Sequence, residues 1–202
     1  MTNAAMATQM LLDRFHPRMV LFTGIAGAID TSVHIGDIVV PDRWREHDYG
    51  YYGKNGLEPR GIEVRLPGWD STEHIESFAT DSGLLAMVRR INADSLGLKP
   101  IDGRVPRLTI GGVGVTGNQF IDSKEEREWQ TLHFKSLTTD MESVAVAQVC
   151  AVEGVPFLIF RSASDLAGGS GSATARKEIA QFFKVAAWNS YAVLSRFLQL
   201  MN

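Results

Sequence analysis

The 202-residue sequence predicts an α/β domain, and three observations carry that prediction. Short apolar runs at Met19–Phe22, Ile38–Val40, Leu108–Ile110 and Val155–Phe160 alternate with segments whose apolar residues recur at helical spacing. Glycine, proline or an acidic residue punctuates the junctions. No internal repeat, low-complexity tract or linker interrupts the alternation, so residues 1–202 are expected to form a single domain.

Taken in order, Asn3–Phe15 carries Met6, Met10, Leu11 and Leu12 at helical spacing and should end at His16-Pro17, because the residue before proline avoids the α region. Met19–Phe22 reads as a fully buried strand that runs into Thr23–Ala28, whose glycines allow a tight turn or a close approach to a ligand. Ile38–Val40 is a second strand, stopped by Pro41. Asp42 to Glu73 is polar, with Trp44, Tyr49, Tyr51, Tyr52 and Trp69 among Gly and Pro, and reads as a long functional or interface loop. Asp81 is placed to cap a helix with Leu84, Leu85, Val88 and Ile91 inside, closed near Gly97 and Pro100. Leu108–Ile110 is a strand, followed by a glycine-rich turn over Gly111–Gly117. Ser123 and Glu126 have capping-box spacing and start a helix reaching about His133. Val144–Val152 is a helix stopped by Gly154, with Glu142 at its start, and Val155–Phe160 is the strand that leads to Asp165. The last helix runs from about Thr174 to Leu200, with Phe182, Phe183, Val185, Ala186, Tyr191, Leu194 and Leu198 expected inside.

Composition narrows the function. A net charge of −3 and a pI near 5.9 leave no basic field for a phosphate backbone, so nucleic acid is not an expected partner. Cys150 is the only cysteine, which excludes an intramolecular disulfide, and its apolar helix makes it a buried, inert thiol. No apolar stretch is long enough to span a bilayer and no signal-peptide layout opens the chain, so the default expectation is cytoplasmic.

Most motifs that catch the eye fail on mechanism. Gly112–Gly117 satisfies the spacing of a dinucleotide fingerprint, but five residues separate it from the next helix start, so no helix N-terminus would face a pyrophosphate. Nicotinamide binding is left as a minor alternative. Gly168–Ser172 lacks the lysine of a phosphate loop and reads as a flexible loop. The five histidines show no metal-ligand spacing, and no cofactor is expected. Two carboxylates remain, Glu142 at a helix start and Asp165 at the carboxyl end of a strand, where open α/β sheets bind ligands. Taken alone, they are better read as structural, Glu142 as a first-turn residue favoured by the helix dipole and Asp165 as a cap before a glycine-rich loop.

Five ordered blocks tip the balance. Thr23-Gly24-Ile25-Ala26-Gly27, Val33–Val40, Gly117-Asn118-Gln119-Phe120-Ile121, Asp140-Met141-Glu142-Ser143-Val144-Ala145 and Arg161-Ser162-Ala163-Ser164-Asp165 resemble the blocks of the nucleoside phosphorylase superfamily. Within it the chain most resembles the 5'-methylthioadenosine/S-adenosylhomocysteine nucleosidases. The resemblance implies a three-layer α/β/α fold around a mixed, partly barrel-like sheet. It implies Asp165 as the general acid at purine N7 with Ser164 orienting it, and Glu142 on the ribose hydroxyls with Met141 lining the sugar. Phe120 would stack on the base, the Ile121 backbone would read the adenine edge, and Ala26 and Gly27 would complete the substrate site. It also implies a homodimer or larger homo-oligomer, with Tyr49 to Tyr52 the candidate aromatic segment that closes a neighbour's pocket.

The chemistry asks for these residue types. N-glycosidic cleavage passes through an oxocarbenium-like sugar, so it needs a proton for the departing base and negative charge near the sugar. Asp165 can supply the proton only with a raised pKa, which burial would provide and Arg161 would oppose.

The sequence also departs from the family. Members carry a strand and glycine-rich loop ahead of the counterpart of Asn3, bearing the glutamate that activates water, so the domain is expected to be N-terminally truncated relative to them. Ile25 and Phe22 stand where several phosphorylases place a phosphate-binding serine and arginine, which favours hydrolysis. A purine nucleoside phosphorylase and a catalytically silent nucleoside-binding protein are the alternatives to an adenine nucleosidase.

Overall fold

The computed structural model describes residues 1–171 and 173–201, so Ser172 of the predicted glycine-rich loop lies outside the described residues. The elements are, in order, α1 (Thr2–Phe15), β1 (Val20–Ala28), β2 (Ile38–Val40), β3 (Arg43–Glu46), β4 (Gly50–Gly53), β5 (Gly56–Pro59), β6 (Ile62–Val64), β7 (Glu73–Ile75) and β8 (Phe78–Ala79). They continue with α2 (Ser82–Val88), β9 (Leu108–Ile110), β10 (Val113–Thr116), α3 (Lys124–Phe134), β11 (Ser136–Asp140), α4 (Ser143–Val152), β12 (Phe157–Asp165) and α5 (Ala175–Met201).

Eight strands form one mixed sheet in the order β8-β3-β10-β11-β1-β12-β2-β9, an open row of pairings, while β4–β5 and β6–β7 are separate two-stranded pairs. Alternation along β12 shows why helices cover both faces. Phe157 and Ile159 pack with Val144, Ala147 and Cys150 of α4, whereas Leu158 and Phe160 pack with α2 and with Val193 and Phe197 of α5. The result is the three-layer α/β/α arrangement.

Several helix boundaries follow the sequence cues. Asp81 caps α2 by accepting the Leu84 N–H at 2.8 Å, and Ser123 caps α3 by accepting the Glu126 N–H at 3.2 Å. His16 closes α1 in the left-handed region at φ 44°, its N–H bonded to the Leu12 carbonyl.

Five expectations are corrected. Thr23–Ala28 is strand, and its glycines make room: a Cβ at Gly24 would lie 2.2 Å from the Arg161 guanidinium. Met19–Phe22 is only half-buried, since β11 pairs with β1 only at Gly27 and Ala28, leaving the stretch from Val20 to Ala26 paired on the β12 side alone. Gly111–Gly117 holds β10, where Gly114 lies against the buried Trp44 indole, and Asp42–Glu73 holds β3, the β4–β5 pair, β6 and the start of β7 rather than one long loop. On α5 the buried face is Ala175, Glu178, Ala186, Asn189, Ser190, Val193 and Phe197, while Phe183, Tyr191 and Leu198 are exposed. Asn189 and Ser190 decide that phase through hydrogen bonds to Gly36, Lys99 and Phe160, which a hydrophobic pattern does not register.

Candidate active site

The sheet reverses direction between β11 and β1, so the carboxyl ends of β11, β1 and β12 meet at one place, with Gly27 opposite Thr139 and beside Asp165. β12 carries one extra residue there: Ala26 pairs with Ala163 and Gly27 with Asp165, leaving Ser164 unopposed in a β-bulge that re-aims the strand end.

Asp165 is 2% exposed. Its Oδ1 accepts the Ala167 N–H at 2.9 Å and its Oδ2 lies 2.8 Å from Ser164 Oγ, which is also 3.3 Å from the Ala26 carbonyl oxygen. A hydroxyl has one proton to give, so Ser164 donates to an ionised Asp165, or donates to Ala26 and accepts from a protonated one. Burial pushes the Asp165 pKa up, the Ala167 N–H and Ser164 hydroxyl pull it down, and the carboxylates of Glu178 and Asp122 push it up again; the net shift is upward. A Cβ at Gly27 would come within 2.9 Å of Asp165 Oδ1, so the strand passes the acid only as glycine.

Arg161 does not oppose that shift. Its side chain crosses β1 over Gly24, donates to Ser143 Oγ at 3.0 Å and to the Ile25 carbonyl at 3.2 Å, and pairs with Asp140 at 2.8 Å. Its remaining nitrogen reaches Glu142 Oε2 at 3.5 Å. Asp140 in turn accepts the Thr116 hydroxyl and the backbone N–H groups of Glu142 and Ser143, so it satisfies the start of α4 that Glu142 leaves uncapped. This clamp fixes Met141 and Glu142 at the rim, with the Glu142 side chain 45% exposed toward solvent.

The structure brings all eight residues named from the sequence around one open cleft of about 550 Å³, counting solvent at its mouth. Asp165, Ser164, Ala26 and Gly27 form one wall, Met141 and Glu142 another, and Phe120 and Ile121 a third. Phe120 is 45% exposed, an aromatic ring free to meet a heterocycle, whereas Ile121 is buried. The cleft is also lined by Thr139 and Asp140, by Gln119, and by Ile179 from α5. Sequence reasoning missed these and the Arg161–Asp140 clamp; the signal for the clamp was a charged residue directly after four apolar strand residues. Among the described residues no cluster of three or more His, Cys, Asp or Glu could hold a metal ion.

The family model described as the Phosphorylase superfamily matches residues 1–199. The chain belongs to this superfamily. It is 31% identical over 206 residues to the 5'-methylthioadenosine/S-adenosylhomocysteine nucleosidase of Mycobacterium bovis, covering 99% of this chain and 78% of that protein. Among solved structures it is similar to the Helicobacter pylori 5'-methylthioadenosine/S-adenosyl homocysteine nucleosidase, complexed with an aminopyrrolopyrimidine joined to a hydroxypyrrolidine, with TM-score 0.77, 26% identity, and 98% and 75% of the two chains covered. It is likewise similar to the native futalosine hydrolase of Helicobacter pylori, with TM-score 0.76, 25% identity and the same coverage.

Proposed function

We propose that this member of the phosphorylase superfamily is a purine nucleosidase that hydrolyses the N-glycosidic bond of an adenine nucleoside of the methylthioadenosine or S-adenosylhomocysteine type. The observation that carries the proposal is the meeting of a buried, pKa-raised Asp165, the solvent-facing Glu142 and the exposed Phe120 ring around one cleft. The whole described chain is read as one nucleoside phosphorylase-like domain.

In this reading Phe120 stacks on the base and the Ile121 backbone reads its edge. Met141 lies under the sugar while Glu142 accepts hydrogen bonds from the ribose hydroxyls. As the bond between the sugar and the base breaks, its electron pair goes to the purine and Asp165 delivers a proton to N7. The carboxylate of Glu142 stabilises the positive charge left on the sugar, and water adds to that carbon, releasing a proton that restores Asp165. No lysine or arginine lines the cleft among the described residues, and the Arg161 guanidinium is engaged by Asp140, Ser143, Ile25 and Glu142, which supports water over phosphate as the acceptor. The exposed Tyr51 and Tyr52 of β4 are consistent with a homo-oligomer in which this segment covers a neighbour's cleft.

Incubation with methylthioadenosine, with and without inorganic phosphate, tests the reading by product chromatography. Adenine and a free thiosugar in both conditions are expected. A sugar phosphate formed only with phosphate would make the chain a phosphorylase, and calorimetric adenine binding without turnover would make it a nucleoside-binding protein.

A further inference from the structure

Glu178 sits in the first turn of α5 at 6% exposure, an uncommon place for a carboxylate. Its Oε2 accepts the backbone N–H of Leu166 at 2.8 Å, the residue next to Asp165. The turn it holds is tight: Asp165 Oδ1 takes the Ala167 N–H, Ala167 lies at φ 50°, and the Leu166 carbonyl accepts the Gly169 N–H at 2.8 Å. The same helix start is tied to the opposite wall, where Asp122, directly after Phe120-Ile121, accepts the Ala175 N–H at 2.8 Å. The first turn of α5 is therefore bolted to both the acid-bearing strand and the Phe120 loop. A glutamine at 178 would accept the same Leu166 bond, so the hydrogen bond alone does not call for a charge.

We infer that Glu178 is a positioning residue for Asp165: it fixes the Asp165–Ala167 turn and sets a negative charge beside the buried carboxyl. This deepens the reading of Asp165 as the acid and rests on it. The other groups around Asp165 are Ser164 of β12 and Asp122 from the loop before α3; Glu142 stands across the cleft, and the Arg161 charge is matched by Asp140. Arg127 of α3 reaches the Ala28 carbonyl at 3.2 Å and lies against Gly169. A like charge at 178 disfavours the ionised form of Asp165 and so keeps its proton available for the departing base.

Carboxyl-carbon NMR titration of the wild-type chain, with the Asp165 resonance identified by its loss in Asp165→Asn, reads this without relying on turnover. In Glu178→Gln the Asp165 midpoint should move to lower pH, and Glu178→Asp should restore it. The high-pH limb of kcat should move with the midpoint, lowering kcat above neutrality roughly threefold or more, with KM unchanged. In the wild type, the Glu178 resonance should register the Asp165 titration, a measurement that needs no variant to fold. An unmoved midpoint in Glu178→Gln, or no such coupling in the wild type, overturns the inference; with Asp165→Asn inactive, the acid role of Asp165 would stand. Full turnover by Asp165→Asn would instead remove the acid reading itself, whatever the midpoint does.

Discussion

At Gly24 a single absent methyl group decides how the cleft is braced. The Arg161 side chain crosses β1 over this residue to reach Asp140 two strands away, and a Cβ there would meet it at 2.2 Å. Gly24→Ala should displace the guanidinium and leave Asp140 buried without its cation, costing about 3–5 kcal/mol in urea unfolding; a wild-type midpoint would contradict this. The sequence showed a glycine but not its purpose, because a residue that turns the chain and one that clears a path look alike in one dimension. Asp165 has a pH signature. Its folded pKa is raised, so the stability it contributes is full below the ordinary carboxylate range and is lost as pH rises through the folded pKa. Asp165→Asn, which stays neutral, should therefore melt several degrees above wild type near pH 8 and lose that advantage only below the ordinary carboxylate range, near pH 3. A constant difference across that window would contradict the burial argument. Cys150 follows the same physics in a bland setting: burial pushes its thiol up to about 12, as its apolar helix led one to expect.

Helices were more legible than strands, and for a physical reason. Caps such as Asp81 and Ser123 act within three residues, so their signals are local. β3 and β10 are only four residues long, and each is strand because of what pairs with it: Val113–Thr116 lies parallel to Arg43–Glu46 on one side and to β11 on the other. β11 was not read from the sequence at all, although it delivers Asp140 to the cleft. The rotation of α5 shows how buried polar residues override an apolar stripe. Asn189 donates to the Gly36 and Lys99 carbonyls at 3.3 Å and 3.2 Å and accepts the Lys99 N–H at 2.8 Å, pinning the helix to two loops. Asn189→Ala leaves these groups unpaired and should cost roughly 2–3 kcal/mol in chemical denaturation. A loss below about half that would mean water or a rearranged loop satisfies them.

Over the whole molecule, function follows from where the sheet reverses. Parallel neighbours β1 and β12 end beside β11, which runs the other way, and the crevice between them collects the strand ends that carry Ala26, Gly27, Asp140, Ser164 and Asp165. The α/β class and the residues expected at the cleft were readable because the ordered blocks are contiguous in sequence. The strand order and the role of α5 were not, since both depend on contacts between residues far apart in the chain. No helix among the described residues is long and apolar enough to cross a membrane. The proposed reaction turns on one proton, which Asp165 would hold and give to a purine as it leaves the sugar. Its most direct test is adenine release from methylthioadenosine by wild type and Asp165→Asn near neutral pH, with calorimetric binding measured for both. A fall in kcat of about 10²- to 10⁴-fold with nucleoside binding kept is expected; equal rates in the two proteins would remove Asp165 from the acid role.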